Sequence, residues 1–126
     1  VEDVTTKLSP HTVSETVERF VRLLESKGLT LFSVIDQRSE AKSVGLELRE
    51  MTLVIFGNPA QGTPVMDAAP LSGLDLPLKV LIWADGTDTK ISYVSPDALA
   101  TRYNLSQNLL ERLSGIDGLT DTLVKG

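Results

Sequence analysis

Apolar residues in this chain recur with two different periods, and the points where one period gives way to the other divide it into elements. Val13, Val17, Phe20, Val21 and Leu24 repeat at helical spacing. Thr12-Val13-Ser14-Glu15 opens that helix as a capping box, and Lys27 and Gly28 close it with a cation and a residue free to take positive φ. Positions 29–36 are rich in β-formers and predict a strand. Positions 37–45 are polar and predict a helical turn. Met51 and the five residues after it are apolar on both faces, which predicts an interior strand. Leu78, Val80 and Ile82 then alternate with Lys79, Leu81 and Trp83. A turn at 86–89 and a returning strand at 90–94 complete a hairpin. Positions 1–8 alternate weakly and predict a first strand.

Ser95-Pro96-Asp97 starts a helix, with N-cap, first-position proline and first-turn acid. Ser106 starts again, and Leu109, Leu113, Ile116 and Leu123 keep helical spacing nearly to the end. Gly115 and Gly118 each weaken that run by about 1 kcal/mol. The predicted order is β-α-β-β-(short α)-β-β-α over one domain, residues 1–126. This is an α+β fold with a mostly antiparallel sheet and helices packed on one face. Leu81 and Trp83 then point away from the helices. Leaving such side chains in water forgoes roughly 1.5–3 kcal/mol each, so pairing with a second copy, a homodimer, is expected.

The segment GNPAQGTPVMDAAP, residues 57–70, follows the interior strand with unusually dense punctuation. Asn58-Pro59 reads as N-cap and first helical position, and Thr63-Pro64 repeats the signal. Backbone amides at a helix start attract anions, and Gly62 lets a ligand approach the main chain. The same residues also serve simply to turn the chain. A helix start contributes roughly 0.3–1 kcal/mol to an anion, and about 2 kcal/mol when partly buried. A millimolar site needs about 4 kcal/mol, so a cation must assist. Lys79 is the candidate, with Met66 as an adaptable apolar wall and Tyr93 as a hydroxyl donor. Asn58, Gly62, Thr63, Met66, Lys79 and Tyr93 are therefore the candidate ligand-binding residues.

Charge and composition narrow the chemistry. Seventeen acidic against twelve basic residues give a net charge of −5, which disfavours nucleic acid and anionic membranes as partners. With no cysteine and the single histidine His11, neither a thiol nucleophile nor a metal site of ordinary type is expected, and no cofactor is implied. No apolar run approaches the length of a membrane span. A cytoplasmic location is expected, although a start at Val1 rather than Met leaves room for a trimmed leader.

Phe56-Gly57-Asn58-Pro59, Gly62-Thr63, Met66, the run from Leu74 through Asp75-Leu76-Pro77-Leu78-Lys79 to Trp83, and then Tyr93 and Pro96 resemble the bacterial and archaeal domain-of-unknown-function family 302. The resemblance covers nearly the whole chain. It implies a TATA-box-binding-protein-like α+β fold of order β-α-β4-α, often found as a homodimer, and it carries no established activity. Family members often have Asp-His where this chain has Asp36-Gln37. The expectation is thus a non-enzymatic small-ligand binding or sensing domain, homodimeric, taking a small anionic or amphipathic metabolite. The alternatives are an enzyme using Asp36, Asp75 or Tyr93 as an acid–base group, and a structural module that docks other proteins on its open sheet face.

Overall fold

A computed structural model describes residues 2–126; Val1, the first residue of the predicted opening strand, lies outside the described residues. Five strands form one antiparallel sheet: β1 (Val4–Ser9), β2 (Thr30–Asp36), β3 (Met51–Gly57), β4 (Leu78–Asp85) and β5 (Asp88–Val94). Their spatial order is β1-β5-β4-β3-β2, so β3 is flanked on both sides, as its two apolar faces predict. Helix α1 (Val13–Ser26) crosses from β1 to β2, and α2 (Gln37–Ser43) joins β2 to β3. Helix α3 (Pro59–Ala68) and a short 3-10 turn (Pro70–Leu74) join β3 to β4. Three helices, α4 (Pro96–Tyr103), α5 (Gln107–Leu113) and α6 (Gly115–Lys125), follow β5.

The caps sit where the residue types place them. Thr12 Oγ1 accepts from the Glu15 amide at 3.2 Å, and Gly28 takes φ +68° just past α1. Asp36 caps α2, Ser95 caps α4 and Ser106 caps α5 through their side-chain oxygens. Gly86 takes φ +61° in the two-residue connection between β4 and β5, where Asp85 faces Asp88. The single helix predicted from Ser106 onward is instead two. At Ser114 the hydroxyl bonds back to Leu110 O at 3.0 Å and α5 stops, and Gly115 begins α6.

Burial follows strand alternation. Val54 and Phe56 of β3, Val80 and Ile82 of β4, and Ile91 and Tyr93 of β5 pack beneath Phe20 and Leu24 of α1 and Ile116 and Leu123 of α6. Phe20 and Phe56 meet edge to face with centroids 5.2 Å apart. A second cluster, Val65, Leu76, Leu99 and Leu113, ties α3, α4 and α5 together after the 3-10 turn. Between the two clusters the packing is open.

Candidate functional site

Two local features of β2 and β3 open a cleft. The β2–β3 register slips between Leu31 and Ser33, so Phe32 is an extra residue and its ring turns over Gly57. Phe32 stays 51% exposed as a result. After Gly57 the chain turns sharply into α3, while α5 and α6 approach from the other side. The cleft between them has a volume of about 670 Å³, within the range of small-molecule sites. Its walls include Leu29, Phe32, Met66, Pro77 and Leu119, and its polar groups include Gln61 on α3 and Asn108, Glu111 and Arg112 on α5.

Asn58, Gly62, Thr63 and Met66 all line this cleft; Lys79 and Tyr93 do not. The main-chain donors at the start of α3 are already used. Asn58 Oδ1 accepts from the Ala60 amide at 3.0 Å, and Asn58 O accepts from the Gln61 and Gly62 amides, both at 2.9 Å. Pro59 has no amide to offer. The N-terminus of α3 therefore borders a hollow but keeps its donors for itself. Thr63-Pro64 starts no second helix; it lies inside α3. Lys79 curls back on its own chain, donating to Pro77 O at 3.1 Å and Asp75 O at 3.3 Å. Arg112 is the cation that reaches the cleft, its Nη1 donating to Gln61 Oε1 at 3.2 Å.

Tyr93 lies between β5 and α6. Its hydroxyl donates to Asp117 Oδ1 at 2.5 Å, and burial followed by that bond pushes its pKa above the ordinary value. Asp36 is held below the ordinary carboxylate value, first by the Ser39 backbone bond of its capping role. Asp75 is also held low, first by the Tyr103 hydroxyl and then, against the opposing effect of burial, by Arg102. All three shifts lead away from neutral pH, where an acid–base catalyst works best. Neither aspartate lines the cleft. Among the described residues no group of three or more His, Cys, Asp or Glu is placed to hold a metal ion.

The sequence profile described as domain of unknown function DUF302 matches residues 4–123. This chain belongs to the DUF302 family. A crystal structure of an uncharacterised conserved DUF302 protein from Bacillus stearothermophilus superimposes with a TM-score of 0.82 at 21% identity, covering 99% of this chain and 98% of that one, which shows the shared fold. Proteins named Fluoride-specific ion channel FluC 1 from Brucella suis and from Brucella abortus are 40% identical over 98 residues. That match covers 77% of this chain but only 39% and 36% of theirs, so this DUF302 domain spans well under half the length of those curated relatives. Among its described residues no helix is long and apolar enough to cross a membrane.

Reading the DUF302 domain from sequence missed Arg112, Gln61 and Phe32. Arg112 and Gln61 are 51 positions apart and meet only because α5 packs on α3. Phe32 breaks the alternation of β2, a sign of a bulge, but residues 29–36 were read as an unbroken strand.

Proposed function

We propose that this domain binds a small amphipathic ligand in the cleft between α3, α5 and the bulged end of β2, as a sensing or carrier module rather than an enzyme. The observation that carries the reading is the cleft itself: apolar walls, a large half-exposed ring at Phe32, and one guanidinium. Gly62 supports it. A side chain built there would meet only the Met66 methyl, at 3.9 Å, so the helix keeps a bare position where it faces open space. The Brucella relatives lend further support, since a similar region forms 36–39% of proteins named as ion channels, an arrangement suited to an appended sensor.

The test fills the cleft without touching the core. Gly62→Leu should fold like the wild type and lose any ligand that native mass spectrometry finds on the purified wild-type protein. It should also lose the thermal shift that a panel of small carboxylates and amphiphiles produces. Equal ligand retention by both proteins would remove the cleft as the binding site.

We also propose that the domain is a homodimer joined through the face of the sheet opposite α1 and α6. Leu53 faces Leu81 and Met51 faces Trp83 on that side, and Leu8 on the edge strand β1 is 61% exposed. Covering their remaining exposed area with a second copy would add apolar burial.

A further inference from the structure

We propose that Arg112 is the anion-pairing residue of the cleft and that its ligand is a monocarboxylate with an apolar tail; this rests on the cleft being a ligand site. The guanidinium carries five N–H donors. Nη1 bonds the neutral Gln61 amide, while Nε is shielded from solvent and has no hydrogen-bond partner. Among the described residues the ion pairs involve Lys7, His11, Arg38, Arg49, Lys90 and Arg102, and none involves Arg112. A half-buried cation with an unmet donor is unfavourable, and a planar carboxylate matches its fork through two parallel bonds. Pairing Nε requires the side chain to turn from Gln61 towards the opening.

Three features select this class over a phosphate. Among the described residues Arg112 is the only basic one lining the cleft, and Glu111 beside it repels a second negative charge. The amides at the start of α3, which would otherwise cradle a phosphate, are spent on Asn58. Leu29, Phe32, Met66 and Leu119 give the cleft an apolar side suited to a hydrocarbon tail.

The experiment titrates the whole protein with octanoate, 1-octanol and octyl phosphate below their aggregation concentrations, following heat and the Arg112 Nε–H resonance. Octanoate should bind roughly ten- to a hundredfold tighter than 1-octanol, the ratio that a charge-assisted bond provides, and tighter than octyl phosphate. It should also displace the Arg112 Nε–H signal. Arg112→Gln should bring octanoate down to the level of 1-octanol while 1-octanol itself is unaffected. Arg112→Lys should recover only part of the difference, because an ammonium cannot form the paired bonds. If octanoate and 1-octanol bind the wild type equally, and Gly62→Leu abolishes both, the cleft is a ligand site and the carboxylate inference is overturned. If neither binding responds to Gly62→Leu, the cleft reading fails and this inference with it. Octyl phosphate binding as tightly as octanoate would overturn the choice of head group.

Discussion

Gly62 lies inside α3, where glycine is less favourable than alanine by about 1 kcal/mol. Its backbone is not in the left-handed region, and an added methyl meets only the end of Met66 at ordinary contact distance. Neither backbone geometry nor crowding demands glycine there. Gly62→Ala should therefore stabilise the protein by about 0.5–1 kcal/mol, read as a rise of a few degrees in the thermal midpoint. A fall in stability would mean that Met66 cannot yield and that the wall is tighter than the open space beside it implies. Arg112 shows the converse at the same scale: a charged group with an unmet donor, held where it faces the same hollow.

Among the elements, those with local signals were legible and those set by packing were not. Thr12, Asn58, Ser95 and Ser106 cap helices as their residue types predict, because an N-cap is decided within three residues of the chain, and Asp36 caps α2 besides. The strands were legible for the same reason, since alternation is local. The break at Ser114 was not, because the apolar stripe runs through it and only the back-bonded hydroxyl marks it. Of the proposed site, the residues on α3 were legible from punctuation. The cation was misplaced because Lys79 is close in sequence, whereas Arg112 is close in space. Tyr93 belongs instead to a tie between β1, β5 and α6. Lys7 Nζ donates to Thr120 Oγ1 at 2.6 Å and Asp117 O at 3.0 Å, pairs with Asp121 at 2.8 Å, and lies 5.4 Å from the centre of the Tyr93 ring. Burial acts to lower its pKa, but the bonds to Asp121 and Tyr93 outweigh it, and the net shift is upward from 10.5. A raised pKa means that the contribution is complete below the unfolded value and is lost as pH rises through the folded one. Lys7→Met should cost about 1–3 kcal/mol at pH 7 by urea unfolding. The gap to wild type should stay level up to about pH 10 and narrow above it. A gap independent of pH beyond that point would show that the lysine acts through its hydrocarbon stem alone.

At the scale of the whole molecule, the sheet has one face under helices and one face without them. The bare face is not uniformly apolar. Trp83 donates from Nε1 to Ser92 Oγ at 2.9 Å, and Lys90 and Arg49 lie 5.4 and 5.9 Å from its ring centre. Those contacts give Trp83 partial cover within one chain, while Leu53 and Leu81, paired across β3 and β4, are left as the apolar centre. Lys90, Arg49 and Ser92 make the rest of that face polar, and charged groups are depleted from the core of stable interfaces, so sheet-to-sheet pairing should give a dimer that dissociates on dilution. Sedimentation between about 1 and about 100 μM, the range in which a micromolar equilibrium shifts, should carry the wild type from the 13.7 kDa chain mass towards twice that value. Leu81→Lys puts an unpaired charge at the middle of the proposed contact, which costs more than the lost apolar area alone. That variant should remain at the single-chain mass throughout, with its thermal midpoint at low concentration close to that of the wild type. A wild type that keeps the single-chain mass at the upper concentration, or a variant that associates as strongly, would mean that the cations around Trp83 suffice to cover this face and that the domain works as one copy.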